Sequence, residues 1–138
     1  MMRARIDWAG DMRFLGGTEN GQGIIMEASK SQDKTRIGAS PMEVVLIGMG
    51  GCSSYDVVNI LKKMRHPIKD LWCDMQAYRA NDVPAVFNMV HMAFTVVGNV
   101  PLKKAEEAVR LSITKYCSAS KMIGSTAKIT TAVKIKND

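Results

Sequence analysis

The chain has 138 residues, 46% hydrophobic and 23% charged, enough for one hydrophobic core and unlike a disordered or fibrous protein. Its three cysteines, an odd number, exclude a complete intramolecular disulfide framework and point to a reducing, cytoplasmic compartment. A formal net charge of +6 raises nucleic-acid binding, but the basic residues lie scattered among acids in short groups such as Lys62, Lys63, Arg65 and His66, so nucleic acid is not an expected partner.

Met1 to Asp11 alternates polar and apolar residues and does not read as a charged-then-apolar leader. Nor does any uninterrupted apolar run reach the roughly eighteen residues that span a bilayer, so neither secretion nor membrane insertion is expected. Ala4, Ile6 and Trp8 predict a first strand, Gly10-Asp11 a break, and Met12 to Leu15 a second strand. Asn20-Gly21 supplies a turn that tolerates positive φ, and Gly23 to Met26 a third strand, giving a meander. Ala28 to Ala39 is polar and nearly free of large apolar groups, the composition of an exposed loop.

Ser40-Pro41-Met42-Glu43 is a capping box with proline at the first helical position, so a long helix starts there and runs to the basic stretch before Pro67. From Val44 to Ser54 apolar or small residues cover almost the whole circumference, which predicts a buried, central helix. Leu71 to Arg79 and Val86 to Val97 alternate as a hairpin. A second amphipathic helix follows Pro101, with Ala105, Ala108, Val109, Leu111, Ile113 and Tyr116 as its inner stripe, ending near Cys117. A short helical turn over Ser118 to Ile123 and a closing strand over Ile129 to Ile135 complete a single α+β domain over residues 1–138, in the order βββ-α-ββ-α(α)-β. A buried helix of that length is hard to cover within one chain, which leads to the expectation of an intertwined homodimer.

Cys52 lies in Gly50-Gly51-Cys52-Ser53-Ser54, where Gly48, Gly50 and Gly51 together weaken the helix by about 1 kcal/mol each unless something approaches closely. At helical spacing Tyr55 and Asp56 share its face, giving the thiol an apolar rim with one acid nearby. A cysteine in an apolar helix is by default a small packing hydrophobe, and reactivity needs access and a lowered pKa. Cys117 stands at a helix end, where the N–H groups of a following turn would favour thiolate. Cys73, in an alternating strand, reads as a packed side chain. The cysteines are far apart in sequence and His66 and His91 lack ligand-like spacing, so neither a metal nor another cofactor is expected.

Ser40-Pro41-Met42-Glu43, then Gly50-Gly51-Cys52-Ser53, then Lys115-Tyr116-Cys117-Ser118 resemble the OsmC/Ohr superfamily, most of all its YhfA-like branch, over nearly the whole chain. The resemblance implies an OsmC-like intertwined homodimer, antiparallel sheets around two long central helices, and an active site at the subunit interface. It also implies thiol-dependent reduction of organic hydroperoxides in oxidative-stress defence. Cys52 would be the peroxidatic thiolate and Cys117 would resolve its sulfenic acid to a disulfide, which an external dithiol, such as a lipoylated protein, must reduce. Hydroperoxide-reducing members pair the reactive cysteine with a glutamate ten positions earlier and an arginine in the opening strands. Here Met42 stands ten before Cys52, Glu43 is the candidate substitute, Arg13 is the nearest arginine and Arg36 the next. The alternative reading is a non-enzymatic thiol dimer of the same fold, a redox sensor or a holder of a small apolar ligand.

Overall fold

The structure, a computed structural model, describes residues 1–28 and 35–137; most of the expected polar loop, residues 29–34, lies outside the described residues. The chain divides into two compact units, Met1–Ile47 and Gly48–Asp138.

In the first unit, β1 (Ala4–Trp8), β2 (Arg13–Thr18) and β3 (Gly23–Glu27) form the expected antiparallel meander, with Trp8 opposite Phe14 and Phe14 opposite Met26. The turn residues make it possible: Gly10 and Asp11 both take positive φ, and Gly21 does so at φ 91, where its amide donates to the Thr18 carbonyl at 3.1 Å. Beyond β3 the chain folds back on it, since the Glu27 amide donates to the Ala39 carbonyl at 3.0 Å. Gly38 is required there, because a Cβ would stand 2.8 Å from the Ile25 carbonyl oxygen.

The long helix, α1, runs Pro41–Lys63. Its predicted capping box is formed: the Ser40 amide donates to Glu43 Oε1 at 2.9 Å and the Glu43 amide to Ser40 Oγ at 3.2 Å. It stops in a Schellman-type turn, with Arg65 at φ 63 and the His66 amide donating to the Leu61 carbonyl at 2.9 Å. The expectation of burial around the circumference needs correction. Met49, Gly50, Ser53, Val57 and Leu61 are buried along one face, while Ile47 is 63% and Tyr55 70% exposed. One chain supplies neighbours for one face only, and 3.6 residues per turn carries the remaining apolar residues outward. By length and mean hydropathy, 1.5 over its most apolar 18 residues, α1 is also long and apolar enough to cross a bilayer. Ser53 and Asp56 on this helix take part in a polar network within the chain.

In the second unit β4 (Asp70–Arg79), β5 (Phe87–Val97) and β6 (Lys128–Lys136) form one sheet. Phe87 lies opposite Arg79 and Met89 opposite Tyr78, so Asn88 is an extra, bulged residue. The bulge resets the alternation: Val90, Met92, Phe94 and Val96 are buried while Met89 is turned out. The sheet is not wholly antiparallel as expected, because β6 pairs parallel to β5. Parallel neighbours need a crossover, and α2 (Leu102–Leu111), a π-helical turn over Ser112–Tyr116 and α3 (Ser118–Ile123) supply it.

The inner stripe of α2 also differs from expectation. Ala105, Ala108, Val109 and then Ser112 are buried, whereas Tyr116 is 51% exposed. The helix widens at Ser112, whose carbonyl accepts the Cys117 amide at 2.7 Å across five residues, and the wider turn rotates Tyr116 out of phase.

Candidate active site

Gly50, Cys52, Ser53 and Asp56 fall on consecutive turns of α1. Gly50 explains part of the glycine cluster, since a Cβ there would stand 2.6 Å from the Met75 sulfur on β4, whereas nothing lies within 4 Å of such an atom on Gly48 or Gly51. Cys117 reaches the same place from the far end of the π-helical turn, where it takes an extended conformation and becomes the N-cap of α3. Its sulfur accepts hydrogen bonds from the Ser120 amide at 3.3 Å and Ser120 Oγ at 3.1 Å. The Cys52 sulfur, the Cys117 sulfur and an Asp56 carboxylate oxygen all lie within 4.8 Å of one another.

The two thiols differ in access. Cys117 is buried, at 3% exposure, while Cys52 is partly exposed. Burial pushes the Cys117 thiol above its ordinary pKa, the Ser120 hydrogen bonds pull it back, and adjacent Cys52 adds to the rise. This overturns the expectation that the helix end favours thiolate at Cys117: two hydrogen bonds at the start of a six-residue helix do not offset the loss of water. Cys73 is a free, half-buried thiol, pushed up to about 11 by burial and by Asp74 beside it, as suits a packed side chain.

Asp56 is held by a buried hydroxyl pair. Ser112 Oγ donates to Asp56 Oδ2 at 3.0 Å and lies 3.0 Å from Ser53 Oγ, so with its hydrogen on the carboxylate it accepts from Ser53. Both serines are fully buried. A cleft of about 310 Å³, lined by Asp56, Asn59, Ile60, Lys63 and Tyr116 among others, adjoins the carboxylate, and another of about 540 Å³ has Lys115, Tyr116, Cys117 and Lys121 in its wall.

The other two residues singled out in the sequence are engaged within the first unit. Glu43 accepts from Ser40 and pairs with Arg36 at 2.7 Å, and the Ser40 amide followed by the Arg36 guanidinium holds its carboxyl below the usual range. Arg13 pairs with Glu27 at 3.3 Å, and its buried Nε has no hydrogen-bond partner among the described residues. The Ile37 amide, donating at 2.9 Å, is the main cause holding Glu27 below its ordinary pKa. Sequence reasoning placed Asp56 near Cys52 without giving it a role, and passed over Ser53, Ser112 and Ser120. The available signal was Ser112, a polar residue continuing the i, i+3, i+7 stripe of Ala105 and Ala108.

Comparison with known proteins identifies the family and the fold. A family model described as OsmC-like protein matches residues 31–132. Protein YhfA of Escherichia coli strain K12 is 39% identical over 131 residues, covering 94% of this chain and 94% of that protein. The crystal structure of a hypothetical protein from Aquifex aeolicus VF5 superposes with a TM-score of 0.88 at 28% identity, covering 100% of this chain and 98% of that one. The organic hydroperoxide resistance protein OhrB of Bacillus subtilis superposes with a TM-score of 0.69 at 15% identity, covering 97% of this chain and 98% of that one, a likeness of fold. The chain belongs to the OsmC-like protein family.

Proposed function

We propose that the protein is a thiol-dependent peroxidase that reduces organic hydroperoxides through Cys52 and Cys117, as a cytoplasmic homodimer of single OsmC-like domains serving oxidative-stress defence. The observation that carries this reading is the approach of the two sulfurs within 4.8 Å, with one partly exposed and the other buried. The Cys52 thiolate attacks the peroxide O–O bond, the alcohol leaves, and Cys52 becomes a sulfenic acid. The Cys117 sulfur then attacks the Cys52 sulfur, water leaves, and a disulfide remains, needing a movement of a few ångströms to reach a bond of about 2.05 Å. An external dithiol, such as a lipoylated protein, supplies two electrons and two protons to restore both thiols.

Apolar surface supports the dimer. Ile47, Tyr55 and Val58 lie exposed on α1, and Gly48 and Gly51 leave room there for a second helix to come close. A second copy of the same chain is the occupant that the resemblance implies. Sedimentation at micromolar concentration giving a monomer would remove the dimer from this reading.

Peroxide consumption coupled to a dithiol tests the activity, together with mass spectrometry after one equivalent of cumene hydroperoxide. A disulfide between Cys52 and Cys117, absent in Cys52→Ser, is expected. Glu43 favours the second reading, a redox sensor or ligand-binding dimer, because its carboxylate is occupied by Ser40 and Arg36. Disulfide formation without sustained turnover would select that reading.

A further inference from the structure

The reduced dithiol and Asp56 converge with a donor set that the peroxidase chemistry does not use up. We propose that Cys52, Cys117 and Asp56 form a binding site for a borderline-soft divalent cation of the Zn2+ class. This goes beyond the peroxidase reading and stands or falls separately from it. The chain separation that argued against a metal in the sequence is removed by the fold, which brings three donors within 4.8 Å of one another, the one such cluster among the described residues.

The spacing suits a tetrahedral ion. Zn–S bonds of about 2.3 Å and Zn–O bonds of about 2.0 Å put ligand atoms roughly 3.5 to 3.8 Å apart, reached here by small side-chain rotations. Two sulfurs with one carboxylate select Zn2+, Co2+ or Cd2+ over Mg2+ or Ca2+, which take oxygen ligands. The surrounding hydrogen bonds are those that orient metal ligands: Ser112 Oγ donates to Asp56 Oδ2 at 3.0 Å, and Ser120 donates twice to the Cys117 sulfur. Three protein donors leave the fourth tetrahedral position for water.

Binding displaces one proton from each thiol to solvent, so two thiolates and one carboxylate meet the ion's two positive charges. The disulfide offers no thiolate to the ion, so only the reduced chain takes it up. Bound cation occupies the sulfur lone pair that would attack peroxide, so it holds the dithiol unreactive until it is removed.

The test uses the full chain, reduced and freed of metal with a chelator, then titrated with Co2+ under anaerobic conditions. Thiolate-to-cobalt charge-transfer absorption saturating at one ion per chain, and displaced by Zn2+, is expected, as is a rise in Tm with Zn2+ for reduced protein only. Asp56→Asn keeps an oxygen to which Ser112 can donate while removing the ligand's charge, and should weaken binding by more than the ~10-fold that loss of an outer-shell partner costs. Cys117→Ser should abolish the charge-transfer pattern of a dithiolate, while Cys73→Ser should titrate like the unaltered chain. Absence of the charge-transfer band in the reduced protein, or an affinity in Asp56→Asn or Cys117→Ser equal to that of the unaltered chain, overturns the site. Peroxide consumption measured in chelator reports on the peroxidase reading independently of either result.

Discussion

Glu43 and Asp56 are carboxylates on the same helix, and their surroundings give them different work. Glu43 sits in the first turn, half exposed, and closes the capping box with Ser40 while pairing with Arg36. Asp56 sits where α1 packs, tied to Ser112 and beside two thiols. The lesson is that a carboxylate at a helix N-terminus already has a structural partner in the backbone, whereas one held by a buried hydroxyl next to sulfur is free to act on what arrives there.

The largest expected effect breaks the thiol side of this comparison. Cys52→Ser should lower organic hydroperoxide turnover by at least about 100-fold, since no other thiol supplies the attacking sulfur. Equal activity in a dithiol-coupled assay would take the chemistry away from the cluster. Ser112→Ala comes next, because it leaves the Asp56 carboxylate and the Ser53 hydroxyl without their partner; a loss of about 2 kcal/mol in denaturant unfolding is expected. A change under about 0.5 kcal/mol would show that Asp56 is held by something else.

On the other side, Glu43→Ala removes one half of the capping box and should cost about 1 kcal/mol of stability while leaving peroxide turnover within about twofold. A fall of tenfold or more would return Glu43 to the catalytic role that the family resemblance suggested. The same residue sets a pH dependence. The folded-state pKa values of Glu43 and Glu27 lie below their unfolded values, so their stabilisation is present at neutral pH and lost as pH falls through the acid range. The drop in Tm between about pH 6 and pH 3 should therefore be smaller in Glu43→Gln than in the unaltered chain.

Two smaller effects sharpen the picture. Gly51→Ala meets nothing within 4 Å in the single chain, so an isolated chain should gain up to about 1 kcal/mol from helix propensity. If a second α1 lies against it, the dimer should instead weaken in sedimentation. Cys73, with its thiol raised to about 11, should alkylate more slowly at pH 8 than the thiol of an unstructured peptide, and its contribution to stability should decline as pH rises from about 9 toward 11, where the unfolded chain ionises first. Equal alkylation of the two would mean that burial does not separate them.

Much was legible from local chemistry. Asn20-Gly21 announced the β2–β3 turn, Ser40-Pro41-Met42-Glu43 fixed where α1 begins, and alternation marked the hairpin strands, because turns, caps and strand faces depend on residues close in sequence. Two thiols could be singled out from their helix positions and from family likeness. Their meeting could not be derived, since it depends on a crossover that brings the end of the π-helical turn back to the middle of α1.

What the sequence determined by itself was therefore the order of elements and the residues with chemical potential. Tertiary structure alone decided that β6 runs parallel to β5, that Ser112 rather than Tyr116 points inward, and that Asp56 joins the thiols. The physical reason is range: propensity and capping act over one or two turns, while the phase of a π-helical turn and the partner of a buried carboxylate are set by packing between segments distant in the chain.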